Sequence, residues 1–202
     1  MDSENPSALI SIAVVSLLIL AAGCVGKVPG VQNYSADTIS NAAAGSSTGE
    51  TMAKGNLSSS SNPVVTFVTT KGTFKAEIYQ DKVPVTTANF LKLVNSGFYD
   101  NLTFHRYVPG FVIQGGDPSG DGTGGSDDTI PLEIVDELTH VKGSLGMART
   151  NDPNSATSQF YVSLEDIHDL DGSYAVFGQV VEGMDVVLKL REGDRMTKVS
   201  AD

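Results

Sequence analysis

The sequence predicts a mainly β protein, an antiparallel barrel whose ends are covered by two helices. Three observations lead there. The chain of 202 residues holds 21 glycines and no tryptophan, a composition that favours a turn-rich β fold over a helical bundle. Nearly all of its eight Phe and six Tyr lie after residue 62, so the core belongs to the C-terminal part. That part divides into short runs of period two, with two isolated stretches of helical spacing.

Residues 1–26 are a targeting segment. From Ala8 to Ala22 the chain reads ALISIAVVSLLILAA. This is shorter than the about 20 residues of a comfortable membrane span and typical of a signal-peptide core. Ala21-Ala22-Gly23-Cys24 resembles a lipobox, in which small residues precede a cysteine that becomes lipidated, so Cys24 is the candidate lipidation site. Asp2 and Glu4 stand where basic residues are usual, and Ala21 where Leu is usual. An uncleaved membrane anchor is the alternative. Either reading places the rest of the chain at the cell membrane, on its extracytoplasmic side. Residues 27–62 are rich in Ser, Gly and Ala and nearly free of aromatics. Such a stretch buries too little apolar area to offset its ordering entropy and reads as a flexible tether. Residues 63–202 are the folded domain.

Within the domain, residues 64–70 and 73–79 flank Lys71-Gly72. Phe74, Ala76 and Ile78 alternate with Lys75, Glu77 and Tyr79, the signature of a half-buried strand beside a tight hairpin. Pro84 breaks that pattern. Thr86 or Thr87 can cap a helix running to about Ser96, with Gly97 as its stop. Short strands are expected at 103–107 and 111–114, split by Pro109-Gly110, and at 145–148, 160–164 and 174–181. A short helix at 184–190 and a closing strand at 197–201 complete the pattern.

Charge and cysteine content exclude several functions. Lys and Arg number 13 against 24 Asp and Glu, a net charge of -11, so nucleic acid is not an expected partner. A single cysteine forms no internal disulfide and no Cys-based zinc site. His105, His140 and His168 form neither an i, i+4 pair nor an HExxH run, so no metal and no cofactor are expected. The acidic, Gly-rich loop 117–128 superficially resembles a calcium loop but lacks the alternating ligands and final Glu of an EF-hand. It reads as a flexible turn.

Three runs carry the chemistry. The first is Phe104-His105-Arg106-Tyr107-Val108-Pro109-Gly110-Phe111-Val112-Ile113-Gln114-Gly115-Gly116-Asp117. One cation stands among apolar and aromatic residues, with a Gln eight positions on. Pattern alone leaves Arg106 either a salt-bridged surface residue or a fixed charge beside an apolar pocket. The second run spans Gly143 to Arg149 and then Ser155 to Tyr161; the third spans Leu170 to Gly178.

In order and spacing these runs resemble the cyclophilin-type peptidyl-prolyl isomerases, over essentially all of 63–202. The resemblance implies a closed eight-stranded antiparallel barrel capped by two helices. It implies an enzyme that accelerates rotation of X-Pro peptide bonds, assisting the folding of unfolded or exported polypeptides, as a monomer. Arg106 matches the catalytic arginine and Gln114 the glutamine beside it. Phe111, Val112, Tyr161 and Leu170 match the proline pocket. Val112 stands where eukaryotic members usually have Met, and Tyr161 stands for a Phe, so the pocket gains a hydroxyl. Ala148 and Arg149 match the Ala-Asn pair on the rim, whose main chain pairs with substrate. Gln159 matches a groove glutamine and Tyr174 a pocket-edge histidine. Asp169 falls where strong cyclosporin binders have Trp, which implies weak cyclosporin binding. A second reading keeps the pocket as a proline-binding module without turnover. A solute-binding lipoprotein would need a second lobe, for which the chain is too short.

Overall fold

A computed structural model describes residues 62–202. The targeting segment 1–26 with Cys24, and the tether apart from Asn62, lie outside the described residues.

The first hairpin follows from its alternation. β1 (Val64–Thr69) and β2 (Gly72–Ile78) pair antiparallel, with Phe67 opposite Phe74 and Val65 opposite Ala76. These four residues are fully buried, and the two Phe rings stack at 4.5 Å. Removing each such ring from water contributes about 1.5–3 kcal/mol.

α1 (Pro84–Asn95) starts earlier than its Thr pair suggested. Pro84 does not precede the helix but opens it, since its missing N–H is an unpaired donor position in any first turn. Thr86 and Thr87 are buried inside that turn rather than capping it. The cap comes from elsewhere: the Glu133 carboxylate accepts the N–H groups of Val85 (3.1 Å) and Thr86 (2.6 Å) and the Thr86 hydroxyl (2.6 Å). The C-terminus is as the sequence indicates. Gly97 takes φ 72°, its N–H reaches Val94 O, and the Phe98 N–H reaches Leu93 O, a Schellman closure. Phe90 inserts from α1 into the core, with ring centroids 4.9 Å from Phe177 and 5.6 Å from Phe160.

The remaining strands are β3 (Phe104–Val108), β4 (Val112–Gly115), β5 (Ser144–Met147), β6 (Phe160–Ser163), β7 (Val176–Glu182) and β8 (Met196–Ala201). The second helix, α2 (Met184–Val187), is shorter than expected, because residues 189 and 190 tighten into i to i−3 bonds. All pairings are antiparallel, in the order β3-β4-β6-β5-β7-β2-β1-β8.

The expectation of a closed barrel is corrected. The eight strands curl into an open half-barrel, and the end strands β3 and β8 share no ladder. Their seam is crossed by the isolated bridge Thr103–Arg195 and by bonds such as Phe104 N–H to Asp194 O (2.8 Å) and Gly193 N–H to Phe104 O (2.9 Å). These contacts involve the start of β3, so Arg106, Tyr107 and Val108 remain on a free edge. That edge borders the site.

Candidate active site

One row across the sheet builds the site. Arg106 of β3 faces Gln114 of β4, Gln114 faces Tyr161 of β6, and Tyr161 faces Gly146 of β5. Residues in register across a sheet share a face, so these side chains converge. A bulge at His105 shifts the β3 register and brings Arg106 opposite Gln114. Arg106 Nη1 donates to Gln114 Oε1 at 3.1 Å. Gln114 Nε2 donates in turn to Gln159 Oε1 at 2.9 Å, and Gln159 Nε2 donates to the carbonyls of Gly122 (3.0 Å) and Gly124 (2.7 Å).

That relay ends on the acidic loop, which is not the unanchored turn expected. The buried Asp117 carboxylate accepts the N–H groups of Ser119 (2.8 Å), Asp121 (3.0 Å) and Gly122 (2.5 Å). Burial alone would raise its pKa, yet these bonds hold it below the usual carboxylate value. Gly124 packs so closely that a Cβ there would stand 2.2 Å from Asp117 Oδ1. The ring nitrogens of His105 are buried against this loop without a hydrogen bond of ordinary geometry. Burial lowers the pKa of that ring, and the charge of Arg106 acts in the same direction.

A cavity of about 180 Å³ lies beside the guanidinium, lined by Arg106, Phe111, Val112, Gln114, Ala148, Arg149, Tyr161, Leu170 and Tyr174. Gln159 lies outside this lining. It borders an adjoining cavity of about 370 Å³, built mainly from glycines and from the hydroxyls of Thr123, Ser126, Thr150, Ser155 and Thr157. Gln114, Ala148 and Arg149 line both and form the divide between them. The smaller space has an aromatic and aliphatic wall, with the two guanidinium side chains of Arg106 and Arg149 in its lining. The larger suits a polar side chain.

Arg149 fixes the rim. Its Nε and Nη2 donate to Ser173 O (3.1 and 2.7 Å), its Nη1 donates to Thr150 O (2.8 Å), and its guanidinium lies 4.7 Å from the Tyr174 ring centroid. The Ala148 N–H is given to Gln159 O at 2.9 Å, so main-chain pairing with a peptide falls to the Ala148 carbonyl and to Arg149. The Tyr161 hydroxyl is not offered to the cavity as expected. It lies 2.8 Å from His140 Nε2.

The profile of one protein family, described as cyclophilin type peptidyl-prolyl cis-trans isomerase/CLD, matches residues 64–201. The chain belongs to the cyclophilin-type peptidyl-prolyl cis-trans isomerases. It is 47% identical over 133 residues to a peptidyl-prolyl cis-trans isomerase of Synechococcus elongatus, covering 65% of this chain and 90% of that protein. It is 44% identical over 127 residues to peptidyl-prolyl cis-trans isomerase B of Bacillus subtilis, covering 62% and 88%. Among solved structures, a cyclophilin of Cryptosporidium parvum superposes with a TM-score of 0.66 at 30% identity, over 70% of this chain and 98% of that one. The same protein has been crystallised in the presence of the dipeptide Ala-Pro. The cyclophilin class makes the chain an isomerase.

Three residues of this cyclophilin site escape sequence reasoning. Buried His140 pairs with the partly exposed Asp171, with Nδ1 to Oδ1 at 2.7 Å. Gly146 leaves the space that the Tyr161 ring fills, since a Cβ there would lie 2.3 Å from Tyr161 Cζ. No local spacing announces these contacts, because the partners of His140 are 21 and 31 residues away.

Proposed function

We propose that Arg106 and the apolar cavity beside it catalyse rotation about the peptide bond preceding proline. The observation that carries this reading is an Arg held by Gln114 at the mouth of a cavity walled by Phe111, Val112, Tyr161 and Leu170. Amide resonance sets a barrier of about 18–20 kcal/mol to rotation. For X-Pro the isomers differ by only about 0.5–1 kcal/mol, and uncatalysed exchange takes tens to hundreds of seconds. As the bond twists, resonance is lost and the proline nitrogen regains its lone pair. A donor aimed at that nitrogen binds the twisted state better than the planar one, and this difference lowers the barrier. Arg106 is permanently charged and carries its N–H groups in a rigid fork. The apolar walls hold the ring while the carbonyl side turns, and they exclude water from the Arg–nitrogen contact. Main-chain groups at Ala148 and Arg149 hold the preceding residues.

The substrates on this reading are unfolded or exported polypeptides with X-Pro bonds, since the contacts address the ring and the backbone. Residues 63–202 act as a monomeric domain, carried by the tether 27–62 on the extracytoplasmic side of the cell membrane. The anchor is either lipidated Cys24 or the uncleaved apolar segment.

A protease-coupled assay on an Ala-Pro tetrapeptide tests the activity. Wild type accelerates the slow phase. Arg106→Ala retains its fold and loses about 100- to 1,000-fold in kcat/KM. A variant close to wild type removes Arg106 from the mechanism, whereas proline-peptide binding without turnover in wild type favours the binding-module reading. Mass spectrometry of the natural N-terminus tests the anchor: a diacylated Cys24 supports the lipoprotein form, and an intact Met1 supports the apolar anchor.

A further inference from the structure

His140 does not line the cavity, yet it is bonded to one wall residue, Tyr161, and to the turn that carries another, Leu170. Its ring is fully buried. On one side, Nε2 lies 2.8 Å from the Tyr161 hydroxyl, with the rings stacked at 5.9 Å. On the other, ring Nδ1 and the backbone N–H both reach Asp171 Oδ1 at 2.7 Å. The His140 carbonyl accepts the Ile167 N–H at 2.8 Å. Ile167 and Asp171 bracket the 3-10 turn His168–Leu170, which delivers Leu170 to the cavity. His168 Nδ1 holds the second oxygen of Asp171 at 2.8 Å.

The chemistry assigns directions. An ionised carboxylate accepts only, so Nδ1 is the donor toward Asp171. In the neutral ring Nε2 then accepts, and the Tyr161 hydroxyl donates to it. Burial pushes the Tyr161 phenol far above its ordinary range, which keeps it a donor. The bond matters because of what lies beside the ring: Tyr161 occupies the space that a side chain at position 146 would fill, and Gly146 offers no stop.

We propose that His140 is a positioning residue for the proline slot, acting through the Tyr161 hydroxyl on one wall and through Asp171 on the turn that bears Leu170. The inference rests on reading the cavity as the proline site. His140 thus sets the gap between two walls that must grip one ring.

The test uses the full chain labelled uniformly with ¹³C and ¹⁵N and titrated with Ala-Pro. The His140 Nε2 resonance shifts on titration in wild type and shifts less in Tyr161→Phe, because the hydroxyl is its direct link to the slot and only the Asp171 link remains. In parallel, kcat/KM is measured for wild type, Tyr161→Phe, His140→Leu and the double variant. The losses are non-additive by about fivefold, as expected for groups in one hydrogen-bond network. If His140→Leu does not fold, the titration of wild type against Tyr161→Phe decides. A titration that moves Leu170 and Tyr174 resonances but leaves His140 Nε2 in place, or losses that simply multiply, overturns the positioning role and leaves the proline reading standing. Absence of both turnover and any Ala-Pro response at the cavity overturns the proline reading itself.

Discussion

No carboxylate among the described residues pairs with the Arg106 guanidinium, and Gln114 accepts one of its N–H groups. A neutral acceptor orients the fork without neutralising it, and the other donors stay available to a substrate nitrogen. Gln114→Ala therefore lowers kcat by about tenfold, on the scale of one lost orienting hydrogen bond, with a smaller change in KM. Steady-state kinetics on an Ala-Pro tetrapeptide measures the split, and a pure KM effect contradicts the orienting role. Asp169 supports a second prediction. It is exposed on the 3-10 turn beside Leu170 and supplies neither the apolar area nor the N–H donor of an indole. Cyclosporin consequently binds weakly, and Asp169→Trp strengthens inhibition; a tight, stoichiometric inhibition curve for the unmodified protein refutes this. At this scale the residues of the cavity wall are readable in the sequence because they sit in contiguous runs with a family resemblance. His140 is not, because its role is defined by Tyr161 and Asp171 and not by its neighbours in the chain.

The elements were legible where local chemistry decides them and illegible where a distant residue does. Phe74, Ala76 and Ile78 announce β2 because a strand with one buried face needs period two. Gly97 announces the end of α1 because its positive φ suits a residue without a Cβ. The start of α1 was misplaced because its cap, Glu133, lies 47 residues beyond Thr86. Opening of the barrel was hidden too, since strand spacing cannot say which edges meet. The helix cap yields a prediction. Glu133 satisfies two otherwise unpaired N–H groups and places a negative charge at a helix N-terminus. Glu133→Ala costs about 1 kcal/mol. It lowers the thermal midpoint by a few degrees and leaves kcat/KM unchanged, because Glu133 does not border either cavity. Glu133→Gln recovers part of the loss, since an amide oxygen still accepts; an alanine variant as stable as wild type would show that water caps α1 equally well.

At the scale of the whole molecule, several carboxylates among the described residues hold their protons less tightly in the folded state than in the unfolded chain. Hydrogen bonds hold Asp117 and Asp171 below the ordinary carboxylate value although burial opposes them, and the same balance lowers Asp194. For Asp100 the bond from Lys198 leads, followed by the Val199 N–H. Each contributes stability that is complete above the ordinary value of 3.8 and is lost as pH falls through the lowered folded value. His105 adds an earlier step of the same sign. Burial lowers its pKa from 6.5, so protonation favours the unfolded chain, and stability begins to fall just below that pH. These groups therefore give the acid limb two stages: a shallow decline from His105 as pH falls below 6.5 and a steeper decline from the carboxylates as it falls below 3.8. Urea midpoints measured from pH 8 to pH 3, at constant m, resolve both stages. His105→Gln removes the first and leaves the second. Function follows the second stage, because Asp117 holds the loop whose Gly122 and Gly124 carbonyls fix Gln159, and through it Gln114 and Arg106. A midpoint that stays flat down to pH 3, or rises as acid is added, contradicts the assignment of these carboxylates as structural anchors.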